Sequence, residues 1–129
     1  MVRMYEADAV PTVYNIDDIP EQERGPGTVG QYFRGHDTII GFNTLDEKTV
    51  HSEHSHPWEQ IAFVVEGTCD FVIDGKEVTL DAGDIVNIPP GVKHSSATDE
   101  TALLMAIFPL REDYLPFTEY QHEYPPESA

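Results

Sequence analysis

Between Gln31 and Phe108 the chain runs as short apolar or alternating stretches cut by turn signals, and this spacing constrains its fold most. The stretches are 31–34, 38–43, 48–56, 60–65, 69–73, 76–80, 85–88 and 102–108. Each has the length of a strand, and repeated short strands separated by turns mark a sandwich or a barrel. Asp74-Gly75, between Phe71-Val72-Ile73 and Lys76-Glu77-Val78, is a strong two-residue hairpin signal. Asp81-Ala82-Gly83-Asp84 is the next turn, and nothing before Arg111 has helical periodicity. The expected organisation is an all-β barrel over 30–110, an irregular lead-in over 1–29 and a short arm over 111–129. In the lead-in, Asp17 to Gly27 is acidic and broken by Pro and Gly, so it reads as a loop. The arm offers one short helical turn before Pro116, then Tyr120, Tyr124, Pro125 and Pro126 as a segment laid on a surface, with frayed last residues.

Composition narrows the partners. The 129 residues suffice for one domain with a modest core, and 40% hydrophobic content is that of a globular chain. No apolar run reaches the roughly 20 residues of a membrane span, and Met1-Val2-Arg3-Met4-Tyr5-Glu6 lacks the apolar core of a signal peptide. A lone cysteine, Cys69, excludes an internal disulfide and fits a reducing cytoplasm, where it packs as a small core residue. There are 24 Asp and Glu against 7 Lys and Arg, a formal net charge of −17. Such a surface repels phosphate backbones and anionic lipid, which argues against nucleic acid and membranes as partners. It is either an ordinary acidic surface or one adapted to high salt, where screening relieves self-repulsion.

The chemistry-bearing stretch is His54-Ser55-His56-Pro57-Trp58-Glu59-Gln60, answered by Pro89-Pro90-Gly91-Val92-Lys93-His94. Residues two apart on a strand share a face, so His54 and His56 present two imidazoles to one side. Gln60 keeps their parity and supplies an oxygen, and His94 arrives from a distant hairpin once Pro89-Pro90-Gly91 has turned the chain. Three imidazoles and one oxygen suit a mononuclear divalent first-row metal. Glu59 is the rival oxygen donor but lies one residue out of phase. By the same parity His51 should face away from the metal, and with His36 and His122 it reads as an ordinary surface or core residue.

These residues resemble the two motifs of the cupins. His54, His56, Gln60 and Gly67 fall at the steps of the first, with Gln60 where Glu is usual. Gly83, Pro89, Gly91 and His94 fall at the steps of the second, with Thr98 where Asn often stands. The resemblance implies a double-stranded β-helix (jelly-roll) barrel, often a homodimer. It also implies one divalent transition metal (Ni, Zn, Fe, Mn or Cu) on His54, His56, Gln60 and His94.

Within the cupins the ligand stretch is similar to the KdgF-type pectin-degradation proteins, which use three His and one Gln to linearise 4,5-unsaturated monouronates. By that resemblance Arg111, in Phe108-Pro109-Leu110-Arg111-Glu112-Asp113, would grip the uronate carboxylate, a planar task that suits guanidinium. An ion pair with Glu112 or Asp113 is the alternative. That family's catalytic Asp falls on Met105, and its Phe partner on Ile107. Methionine cannot transfer protons, so Glu59, Asp70 or a metal-bound water takes that role, or the chemistry differs. Leu103, Met105 and Ile107 would make an apolar pocket if their shared parity pointed inward. That would fit polyketide-cyclase or quercetinase-like relatives acting on enolic or aromatic substrates, and Trp58 would line the rim. A neutral Gln leaves a divalent ion its full charge, which favours a small oxygen-rich, anionic substrate. A non-catalytic sugar- or metabolite-binding module is the reading from another class.

Overall fold

A computed structural model describes residues 13–123 of the chain. Ten strands run β1 (Gln22–Glu23), β2 (Thr28–Arg34), β3 (Thr38–Leu45), β4 (Val50–His54), β5 (Gln60–Glu66), β6 (Thr68–Ile73), β7 (Lys76–Asp81), β8 (Ile85–Ile88), β9 (His94–Ala97) and β10 (Ala102–Pro109). They form two antiparallel sheets, six-stranded in the order β1-β2-β3-β10-β5-β8 and four-stranded in the order β4-β9-β6-β7. This is the jelly-roll barrel that the strand spacing and the motif resemblance imply. Among the described residues no helix is long and apolar enough to cross a membrane.

Local chemistry sets the turns. Asp74 and Gly75 both take positive φ (52° and 77°), the geometry of a tight hairpin whose twist matches its strands. Gly67 turns β5 into β6 at φ 83°, and a β-carbon there would meet the carbonyl oxygen of Thr101 at 2.7 Å. Both strain and close approach therefore reserve that position for glycine.

Alternation along the strands fills the interior. On β10, Ala102, Leu104, Ala106 and Phe108 are buried and point inward. Leu103, Met105 and Ile107 take the other parity, so they lie on the outer face, half-buried, opposite Phe42 and Ile40 of β3 and Phe63 and Ile61 of β5. The expectation that these three could line the pocket is thereby corrected. A strand alternates strictly, and its smaller inward residues are the ones that leave room. One end of the barrel is sealed by Leu45, Val64, Cys69, Phe71, Leu80 and their neighbours. Full burial of each large aliphatic contributes about 1.5–3 kcal/mol.

The lead-in and the arm are more ordered than loops. Gln22 and Glu23 pair with Gly30 and Val29, which adds β1 to the edge of the six-stranded sheet. The arm forms a 3-10 helix over Glu112–Thr118, Pro116 included, and a short α-helix over Tyr120–Glu123. Tyr114 and Phe117 pack on Tyr32 and Phe108, so the arm covers its own barrel. The Gln121 amide closes the arm down by accepting from the Arg34 amide (2.7 Å) and donating to the Arg34 carbonyl (3.0 Å). Tyr124, Pro125 and Pro126 lie outside the described residues.

Candidate metal centre

The three motif histidines come together at the other end of the barrel, where both sheets contribute. His54 ends β4 and sits opposite His94, the first residue of β9. His56 lies just beyond the end of β4, so it is placed by the loop rather than by strand parity. Gly91 fixes that loop. At φ 79° its N–H donates to the His56 carbonyl at 2.8 Å, which ties the second motif to the first. Gln60 opens β5 on the facing sheet.

The rings are oriented by their own backbone. Each Nδ1 lies against the carbonyl of a residue two away: Ser52 for His54 (2.8 Å), Trp58 for His56 (2.9 Å) and Val92 for His94 (2.9 Å). A carbonyl only accepts, so each Nδ1 carries the proton and each Nε2 keeps a lone pair. The potential ligand atoms of the three lie within 4.8 Å of one another. His94 is 3% exposed, and among the described residues its Nε2 has no hydrogen-bond partner. A buried nitrogen without a partner normally costs stability, whereas a cation there would satisfy it. Burial lowers the His94 pKa below the ordinary histidine range, and the neighbouring His54 and His56 add to this, which keeps the ring neutral as a ligand must be. Gln60 Oε1 stands 3.2 Å from His56 Nε2. Two lone pairs facing at that distance are what two ligands of one cation present. The donor set and its tautomers therefore fit a divalent transition metal.

A cavity surrounds this centre in two lobes, of about 320 and 420 Å³. His54, Gln60, Phe108, Tyr114 and Arg24 border both. The first lobe adds His56, Trp58, Arg111 and Asp113. Trp58 stacks on the His56 ring (4.4 Å between centroids, 4° between planes), and the Arg111 guanidinium lies 3.3 Å from the centre of the indole. Arg111 is also ion-paired with Asp113, the alternative that the sequence left open for it. The second lobe adds Thr28, Tyr32, Asn43 and His51.

His51 is the clear correction. On β4 the pairing shifts between His51, opposite Ser96, and His54, opposite His94. Three steps on one strand match two on the other, and this bulge brings His51 to the inner face. There it bonds Thr28 Oγ1 through Nε2 (2.9 Å) and Ser96 Oγ through Nδ1 (3.1 Å). Glu59 is exposed and accepts a long bond from Asn87 (3.5 Å), and it does not line the cavity. Asp70 is exposed and accepts from Thr79 Oγ1 at 2.7 Å. Arg34 is buried beneath the arm, away from the site. Sequence reasoning missed Arg24, Thr28, Tyr32, Asn43 and Tyr114, which come from the lead-in, the first long strands and the arm. The inward parity of Phe108 was the one available hint.

The cupin domain family model matches residues 41–108. The chain is 30% identical over 96 residues to the acireductone dioxygenase of Bacillus thuringiensis subsp. konkukian, covering 65% of this chain and 56% of that protein. It spans about half the length of the curated relatives it matches. Among solved structures it is similar to an RmlC-like cupin from Shewanella frigidimarina (TM-score 0.76, 25% identity, 86% of this chain and 99% of that one). It is also similar in fold to KdgF from Halomonas sp. (TM-score 0.71, 24% identity, 77% and 94%).

Proposed function

Because this chain belongs to the cupin family, we propose that it is a mononuclear metal enzyme acting on a small oxygen-rich metabolite, by a KdgF-like uronate ring-opening or isomerisation or a related reaction. The observation that carries the reading is the set of three Nδ1-protonated imidazoles and the Gln60 oxygen, with His54, His56 and Gln60 lining a cavity bordered by two guanidiniums. His54, His56, His94 and Gln60 would hold one Ni, Zn, Fe, Mn or Cu ion. When bound, such an ion supplies Lewis acidity toward a substrate oxygen or a water. The chain's own residues do the rest. Trp58 and Phe108 supply apolar wall that excludes water, and Arg111, held between Trp58 and Asp113, offers N–H donors to the substrate. Glu59, turned outward toward Asn87, places no atom in the wall. On this reading Glu59→Gln leaves turnover unchanged, and a large loss would return the proton role to it.

A second reading, a dioxygenase of an enolic or aromatic substrate, is favoured by the curated relatives named acireductone dioxygenase. Elemental analysis of the purified protein comes first, and a chain that neither holds nor takes up metal removes both readings. Loss of the unsaturated-uronate absorbance then tests the first, and oxygen consumption with diketones or flavonols tests the second. We also propose a homodimer. Its support is the apolar outer face around Ile40, Phe42, Ile61, Phe63, Met105 and Ile107, with Ile85 64% exposed at its edge. Light scattering decides this, and a monomer at tens of micromolar would exclude it.

A further inference from the structure

One cation of the cavity, Arg24, is assigned no task in the reading above beyond bordering the site. Arg24 follows β1 and precedes the turn Gly25-Pro26-Gly27, whose closure (Arg24 N–H to the Thr28 carbonyl, 2.9 Å) aims the side chain at the barrel mouth. Its guanidinium lies over Phe117 (4.3 Å to the ring centre), with Tyr114 at 5.3 Å and Tyr32 at 5.6 Å. Aromatic faces hold a guanidinium by its plane and leave its N–H edge free for a planar acceptor. Its polar contacts are with phenol oxygens: Nη2 reaches the Tyr114 hydroxyl at 3.5 Å, at the limit of a hydrogen bond, and the Tyr32 hydroxyl also interacts with it.

Among the described residues no carboxylate bridges Arg24, whereas Arg111 is already neutralised by Asp113. In a chain with 24 acidic residues against 7 basic ones, an arginine held by rings and left without an acid is a placed charge. It borders both lobes, beside His54 and Gln60. An anionic substrate would be repelled by the whole molecule at long range, so a local cation must select it.

We propose that Arg24 is the specificity-determining residue of this cavity. It receives a carboxylate of the substrate at the waist between the lobes, while Arg111 serves the wall. The inference rests on the metal-enzyme reading for the position of the substrate's other oxygens, and it commits the substrate to a small acid rather than a neutral enol or sugar.

Calorimetric titration of the nickel-loaded full chain with D-galacturonate and with D-galactose tests this. The acid should bind at least about tenfold more tightly than the neutral sugar, as charge-assisted hydrogen bonds predict. Arg24→Gln keeps a planar group over the rings and should remove the preference, while Arg111→Gln should keep most of it. Equal affinity for acid and neutral sugar in the parent chain, or an undiminished preference in Arg24→Gln, overturns the assignment. Arg24→Lys keeps the charge without the planar fork and should lose part of the preference. If the glutamine variant does not melt cooperatively, a lysine variant with the full preference also overturns it. Nickel titration alongside separates the two failures. A chain that binds no nickel sinks the metal reading, and the preference for the acid is then read on the metal-free protein.

Discussion

The two ends of this barrel are made by the same strands and filled by opposite chemistry. On β10 the inward positions pass from Ala102 and Leu104 at the sealed end to Ala106 and Phe108 at the open end. On β5 they pass from Val64 and Ala62 to Gln60. The sealed end removes apolar area from water and needs no partner to be satisfied. The open end holds a buried nitrogen on His94 that its surroundings leave without a hydrogen bond, and stacked arginines at its mouth. Stability thus resides at one end, and the other spends some of it on a site that only a bound group completes.

The sharpest way to break this comparison is a pair of truncations. Leu45→Ala should lower unfolding stability by about 2–5 kcal/mol, because the sealed core collapses only partly around the gap. It should leave the metal affinity of the folded molecules intact. His94→Ala should cost far less in the metal-free protein and should abolish the metal-dependent rise in stability. That rise amounts to about 4 kcal/mol when metal exceeds its dissociation constant a thousandfold. Denaturant melts with and without Ni(II) read both. Equal losses from the two variants would show that the ends are not separable.

Gln60→Glu comes next in size. An anionic fourth ligand should tighten divalent metal binding by about tenfold or more, since it adds charge attraction to the same oxygen position. Metal titration against a competing chelator measures it, and an unchanged affinity would remove Gln60 from the ligand set.

Acid should act on the open end alone. Burial is the main cause that holds the His51 pKa below its usual value, and His54 adds to it. Below the ordinary histidine pKa the unfolded chain therefore binds more protons than the folded one. Stability of the metal-free protein should fall as pH drops through about 6.5 and level off below the folded-state value. His51→Asn should reduce that slope in melts between pH 7.5 and 5, and the part that remains belongs to His94, whose pKa burial also lowers. The titratable group of the sealed end, Cys69, is silent there, because burial pushes its thiol up to about 11. Cys69 should resist iodoacetamide until the protein unfolds.

The smallest effect expected is that of salt. If the charge of −17 reflects a high-salt surface, the melting temperature should rise from low to molar KCl, most of it below about 0.5 M where screening changes fastest. A flat profile would leave an ordinary acidic surface.

Much of this was legible along the chain. Short strands with turn residues between them gave the barrel, because alternation and turn chemistry act over a few residues. The four ligand candidates could be read because each motif keeps its spacing within one turn or strand end. His51 could not be assigned to the cavity, because a bulge is decided by the pairing of β4 with β9 and not by β4 itself. Arg24 read as part of an acidic loop, because in sequence it stands between Glu23 and Gly25-Pro26-Gly27 while its neighbours in space are Tyr32, Tyr114 and Phe117.

What the sequence determined by itself is therefore local and periodic: which segments extend, where they turn, and which imidazoles stand ready to share a cation. Tertiary structure alone decided which face each strand turns inward, that the arm packs on its own barrel beside the open end, and that two distant arginines border one cavity. The physical reason is range. Backbone sterics and side-chain alternation are fixed within a few bonds, whereas the cavity's charge and shape come from residues more than eighty positions apart, brought together only when both sheets close.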